Sequence, residues 1–481
     1  MSDKKYIWKS FEYTGCGIDL LDLFRHLPHV FFLDSSQHDP HRGRYSFIGF
    51  DPFNVLIHKG RDTLDRLKER FMQYAEVKAE GYSASFSPLT SGIVGCLSYD
   101  YGLQQEKIPI VIKDDHYMPD CFFGFYDCIL TIDHFTQKLI ITSSGLPERN
   151  QYLREKRAQQ RLANIIERLD AHFDEGISFD EEASGRSSSL PLALKGNISK
   201  EQYIKQVEKA LDHIGCGDIY QVNLSQRFEL DLSGHTFDGV SLYRDLRHLA
   251  PSPFGGYMDC GNFQLISNSP ERFLHLNNGI VQTRPMKGTR PRGNNEHQDN
   301  LLREEILNSA KEKAELLMIT DLQRNDLGRM CEYGSVSVKE MRTLEEYKYV
   351  FQATSTVEGI LRKDKDCFDL IRACFPGGSI TGCPKIRAMA IIEELEPTRR
   401  GMYTGSMGYI NFDGNMDFNI LIRTLFTCQN KLYFQVGGGI VADSIPENEY
   451  YETLIKARPM RACLENGLLR KDPVRECKVR T

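Results

Sequence analysis

Between Ser267 and Gly293 the sequence SNSPERFLHLNNGIVQTRPMKGTRPRG sets one carboxylate, Glu271, one lysine, Lys287, and four arginines around two turns. Asn277-Asn278-Gly279 has hairpin chemistry. The returning strand, Ile280 to Thr283, is expected to bring Glu271 and an Arg284-to-Arg292 loop to the same end of a sheet. Gly288 permits close backbone approach beside Lys287. Partial burial and the cations Arg284, Arg290 and Arg292 lower a lysine pKa, which makes Lys287 a candidate nucleophile. The competing reading is a basic, glycine-rich loop that simply binds an anion.

Two carboxylate pairs repeat one spacing, Glu312 with Glu315 and Glu449 with Glu452, each three apart on one helix face. Such pairs otherwise mark a solvated face. The last histidine, however, is His297. A metal in the C-terminal third must therefore be bound by carboxylates, which favours Mg²⁺. Phe375 to Lys385, FPGGSITGCPK, fails as a phosphate loop, since Cys383 follows Gly382 where lysine is required. It also fails as a nucleophile elbow, since Gly377-Gly378-Ser379-Ile380-Thr381 lacks the closing glycine. What remains is a glycine-rich turn at a helix start, whose amides suit a carboxylate. Gly437-Gly438-Gly439 within a strand allows another close ligand approach.

The elements that position these residues come from a chain of 481 residues, long enough for two domains or one two-lobed unit. The net charge of −6 argues against a nucleic-acid binder, so the expected ligand is small. No signal peptide or membrane-length apolar run is legible, and a cytoplasmic protein is expected. Thirteen scattered cysteines without a Cys-x-x-Cys pair suit reduced thiols. Residues 1–145 read as a sheet-rich N-terminal region, 146–196 as a helix and an acidic, serine-rich linker, 197–470 as a catalytic domain and 471–481 as a tail. Ser199-Lys200-Glu201-Gln202 has capping-box spacing before an amphipathic helix. In the next strand Gln221, Asn223 and Ser225 alternate on one face, which suits a wet pocket or an exposed sheet surface. Arg303 to Met330 reads as one long helix.

In this order, the motifs from Asn197 to Leu469 resemble those of the chorismate-utilising enzymes. The resemblance implies an α+β fold with large antiparallel sheets and flanking helices, binding of chorismate and Mg²⁺, and displacement of a hydroxyl by ammonia or water. By the resemblance, Glu315 and Glu452 match the Mg²⁺ ligands, with Glu312 and Glu449 as neighbours. Glu271 matches the general acid for the departing hydroxyl. Thr289, Thr381, Gly382, Tyr403, Arg423, Gly438 and Lys456 match positions that hold the substrate carboxylates and enolpyruvyl group. Gln221 stands where isochorismate and salicylate synthases have a water-activating lysine, so ammonia is the implied nucleophile. The P-x-K-G-T loop with Lys287 resembles aminodeoxychorismate synthases component I, of the para-aminobenzoate branch of folate biosynthesis. The alternatives are anthranilate synthase component I and a non-catalytic chorismate-binding protein.

Gln352 departs from the family's usual histidine, which is associated with pyruvate elimination in anthranilate synthases. Ser36, Arg44, Tyr45 and Ser46 resemble a tryptophan pocket of relatives, although Ala250 and Phe254 depart from its usual asparagine and tyrosine. No stretch resembles a glutamine amidotransferase nucleophile loop. A separate glutaminase subunit is therefore the expected source of ammonia.

Overall fold

The computed structural model describes residues 6–39, 42–75, 87–174, 194–235, 237–293, 295–347 and 350–467. Most of the expected linker and the whole 471–481 tail lie outside them. Every described strand pairing in two large sheets is antiparallel. With helices on their outer faces, the architecture is α+β.

Alternation along single strands explains the layering. In Cys121–Tyr126, Phe122 and Tyr126 enter one apolar cluster, while Phe123 and Phe125 enter another. Successive side chains point to opposite faces, so a strand buried on both sides feeds two cores. The cluster holding Phe122 and Tyr126 also takes Phe31, Met258 and Phe426 from the other sheet, and therefore lies between the sheets. The outer clusters pack helices such as Gly17–Phe24 and Gly239–Leu249 on one side and Thr63–Met72 and Cys367–Cys374 on the other. Each buried phenylalanine contributes roughly 1.5–3 kcal/mol of apolar transfer.

The twelve-stranded sheet passes from Phe31–Asp34 through Phe254–Asp259, Phe263–Ser269, Thr424–Cys428 and Lys431–Ile440 to Gln221–Asp231. The ten-stranded sheet includes Met286–Pro291, Val350–Ile360, Arg272–Asn277, Met416–Asn419, Ser406–Asn411 and Gly92–Leu97. Strands from residues 7–143 and from residues 195–440 enter both sheets, so the regions expected at 1–145 and 197–470 do not form separate sheets. The chain crosses between sheets at Pro270-Glu271 and again between Asn419 and Thr424. These crossings are adjacent, because Ile420 N donates to Glu271 O at 3.0 Å and Asn268 N to Arg423 O at 3.1 Å.

Several local readings hold. Asn277 pairs with Ile280 across Asn278 and Gly279, whose φ values of 51° and 82° suit the expected two-residue turn. The capping box is formed at Ser199, with Gln202 reciprocating. Two readings are corrected. The long helix is broken into Glu296–Asn308 and Ala310–Gly328, because Ser309 leaves helical geometry (ψ 116°) and caps the second helix through Glu312 N. The Arg284-to-Arg292 loop contains the strand Met286–Pro291, paired with Val350–Ile360 through a register shift between Lys287 and Thr289.

Candidate active site

Where the two sheets meet, a cavity of about 610 Å³ is lined by Glu271, Lys287, Glu312, Glu315, Tyr403, Arg423, Glu449, Glu452 and Lys456. Its size suits a small organic ligand. Glu271 and Arg423 reach it from the two crossings, and Lys287 from the bulged strand. The strand Lys431–Ile440 passes beneath as glycines, since a Cβ at Gly439 would stand 2.9 Å from Gln221 Nε2 and 3.2 Å from Lys287 Nζ. Side chains there would fill the space the lysine uses.

One serine joins the two candidate reacting groups. Ser379 Oγ donates to Glu271 Oε1 at 2.6 Å, and Lys287 Nζ donates to Ser379 O at 3.3 Å. Burial raises the Glu271 carboxyl to about 7, against the opposing pull of Ser379, Lys287 and Arg423. Burial lowers the Lys287 ammonium, opposed by Glu315 and assisted by Lys456. The expected depression by neighbouring arginines is corrected here. Arg284 is paired with Glu340 and Glu345, Arg290 with Glu305 and Glu312, and Arg292 with Asp299. Their charges are spent locally; of the expected causes it is burial that lowers the lysine, and the contributing cation is Lys456.

The carboxylates form the opposite wall. Glu315 is raised by burial and by Glu312 and Glu452, while Lys287 and Lys311 pull it down. Burial and Glu452 likewise raise Glu449, whose Oε1 accepts from Ser444 Oγ at 2.7 Å. Glu452 is lowered, first by Lys456, whose Nζ lies 2.7 Å away. Glu449 is buried, Glu312 and Glu315 are partly buried and Glu452 is exposed; carboxylates gathered in this way are suited to a cation. Among the described residues, however, no three His, Cys, Asp or Glu side chains gather into a metal cluster. Carboxylate oxygens of this kind would fit a hard divalent cation that keeps water in its shell.

Cations and amides complete the wall. Arg423 is partly buried, with φ of 51°, and desolvation lowers its guanidinium. Lys456 Nζ also donates to Gly437 O at 3.0 Å. Sequence reasoning missed Ser379 and Gln435 as wall residues and noted Asn223 only through its alternating polar face. Asn223 Oδ1, Gln435 Oε1 and both amide atoms of Gln221 are buried with no hydrogen-bond partner among the described residues. Gln352, opposite Thr289, also lines the cavity.

The remaining candidates lie behind the wall. Thr381 Oγ1 donates to Gly377 O at 3.0 Å, within its own turn. Gly382, at φ 146°, pairs with Val222, and a Cβ there would stand 2.2 Å from Gln221 O. Gly438 faces Glu449 and Glu452 from below. The Thr289 side chain lies outside the described residues.

A second cavity, of about 210 Å³, is lined by Arg44 and Tyr45 together with Asp34, Arg42 and Phe254. Ser36 and Ser46 do not line it. Ser36 Oγ donates to Ser252 O, and Ser46 Oγ to Asp34 Oδ1, at 3.1 Å each. Burial opposes ionisation of Asp34, but Arg247, 2.7 Å away, holds its carboxyl below the usual range.

Residues 28–462 match the family of chorismate binding enzymes. The chain is 37% identical over 476 residues to an anthranilate synthase component 1 of Acetivibrio thermocellus, covering 96% of this chain and 92% of that protein. It is 36% identical over 438 residues to an aminodeoxychorismate synthase component 1 of Bacillus subtilis (strain 168), covering 88% and 90%. Anthranilate synthase component I from Streptococcus pneumoniae TIGR4 superposes with a TM-score of 0.74 at 34% identity, over 88% of this chain and 93% of that one. The cavity at the junction of the sheets, the antiparallel α+β architecture and a match that spans most of the sequence lead to one assignment: this chain is a member of the chorismate-binding enzymes.

Proposed function

We propose that the protein is an aminodeoxychorismate synthase component I, which aminates chorismate at the fourth ring carbon with ammonia from a glutaminase subunit. The observation that carries this reading is the Lys287 amine inside the cavity, sharing Ser379 with Glu271. Desolvation disfavours its ammonium form, which suits the amine to act as a nucleophile. In the first step its lone pair bonds to the second ring carbon, the two ring double bonds shift in sequence, from C1–C2 to C1–C6 and from C5–C6 to C4–C5, and the fourth-carbon C–O bond breaks. Glu271 supplies the proton with which the hydroxyl leaves as water. Ammonia then bonds to the fourth carbon, both ring double bonds shift back to C5–C6 and C1–C2, and the lysine amine departs from the second carbon. One proton of the new ammonium group returns to Glu271. Attack through a lysine at the second carbon forces the incoming nitrogen to the fourth, which gives the para product.

Arg423 and Lys456 are assigned to the substrate carboxylates, and Glu315 and Glu452 to Mg²⁺, with Glu312 and Glu449 beside them. When bound, the ion neutralises a substrate carboxylate that the acidic wall would otherwise repel. Gln221, standing in place of a water-activating lysine, supports ammonia as the nucleophile. The second reading, anthranilate synthase component I, is favoured by the relatives that carry that name.

Rapid quench with chorismate and no ammonia, followed by peptide mass analysis, tests the lysine's role. An adduct is expected on the peptide containing Lys287. Guanidinium cannot act as the nucleophile, so Lys287→Arg should be about as damaged as Lys287→Ala. Wild-type-like turnover of Lys287→Arg would reduce the lysine to an electrostatic residue and return the choice to anthranilate synthase.

A further inference from the structure

Arg400 is the largest fully buried side chain among the described residues, at 2% exposure, and it does not itself line the cavity. Its partner Glu396 is also buried, and the two are joined by hydrogen bonds from Nε to Oε2 at 2.9 Å and from Nη2 to Oε1 at 2.7 Å. A buried ion pair is a weak source of stability, because desolvation offsets most of the attraction. The other bonds of the pair show what it holds. Nη1 donates to Ile380 O at 2.9 Å and to Thr404 Oγ1 at 3.3 Å, and Nη2 to Asn223 O at 2.7 Å. Glu396 Oε1 also accepts from Ser225 N and Ser225 Oγ, at 2.8 and 2.9 Å.

Each of these acceptors belongs to a segment that builds the cavity wall. Ile380 follows Ser379, Asn223 projects its amide toward the cavity, and Thr404 follows Tyr403. Thr404 has φ of 61°, a costly conformation for a β-branched residue that persists only where its surroundings fix it. Arg400 and the bond from Thr404 N to Leu421 O, at 2.8 Å, supply that fixing. The guanidinium also lies 4.7 Å over the ring of Tyr99 and 5.7 Å from that of Tyr403, which limits its movement.

We propose that Arg400, oriented by Glu396, is a positioning residue that locks the Ser379 turn, the Asn223 strand and the Tyr403 turn into one rigid wall, and so holds Ser379 against Glu271 and Lys287. Its catalytic consequence rests on the amination reading above; its mechanical consequence does not. Arg423 and Lys456, assigned to the substrate carboxylates, receive no hydrogen bond from this pair, so the loss is expected mainly in kcat.

The test uses full-length Arg400→Lys, which keeps the charge but loses the planar five-donor fork, and Glu396→Asp, which keeps the charge but shortens the carboxylate's reach. Hydrogen exchange followed by mass spectrometry should show faster exchange in peptides covering 376–383 and 221–225, with the outer helices unchanged. With chorismate and ammonium, kcat should fall by roughly 10–100-fold while KM for chorismate moves less than about threefold. Unchanged exchange at 376–383, or a kcat loss that only tracks the loss of folded protein, overturns the proposal. If the wild type does not turn chorismate over, the amination reading fails and the exchange result alone decides the role of Arg400. If Arg400→Lys does not fold, Glu396→Asp carries both measurements.

Discussion

At Glu271, burial that holds the carboxyl near pH 7 produces two effects of opposite sign. The protonated form needed for a general acid persists below about pH 7, so the step that releases the hydroxyl slows as pH rises through that value. Stability follows the linkage of a raised folded-state pKa. It is full below the unfolded value near 4.5 and declines as pH climbs toward 7, where the buried group must ionise. Glu271→Gln should therefore abolish turnover yet stabilise the fold at pH 8, by up to roughly 3 kcal/mol, with little change near pH 4. Urea unfolding at the two pH values checks this. Equal destabilisation at both would mean that the carboxylate is held ionised.

Among the elements, the helix Ala310–Gly328 carries Glu315 to the cavity, opposite Glu452 on Pro446–Gly467. Because burial and neighbouring carboxylates already strain Glu315, Glu315→Ala should remove Mg²⁺-dependent activity without lowering the melting temperature. Turnover by that variant in the presence of chelator would contradict the assignment. Local signals made much of this level legible: the hairpin at Asn278-Gly279 and the capping box at Ser199, and, of the polar face of Gln221, Asn223 and Ser225, the one residue Asn223 that lines the cavity. Less was legible where distant partners decide. The strand through Lys287 exists because Val350–Ile360 pairs with it, and nothing between Arg284 and Arg292 encodes that partner. Ser379 was legible only as part of a rejected elbow motif, because its role depends on Glu271, 108 residues away. The glycine motifs around Thr381 and Gly382 pointed to the right neighbourhood, but their hydrogen bonds and backbone packing turn those two residues away from the cavity.

For the whole molecule, residues on either side of the expected linker share both sheets, with Phe31–Asp34 paired to Phe254–Asp259 and Gly92–Leu97 to Ser406–Asn411. Non-local pairing of this kind is invisible to periodicity, which reports faces and not partners. A fragment of residues 197–481 should then fail to fold, since strands of both sheets would lose their neighbours; a cooperative melt of that fragment would contradict this. No described helix is long and apolar enough to cross a membrane. The crossing of the chain between sheets places Glu271 and Arg423 at one corner, and the chemistry proposed there is a statement about which ring carbon receives nitrogen. Incubation of the purified full chain with chorismate, Mg²⁺ and ammonium, followed by identification of the product by mass and fluorescence, tests that statement most directly. The account predicts 4-amino-4-deoxychorismate with its enolpyruvyl group retained; fluorescent anthranilate and free pyruvate would contradict it.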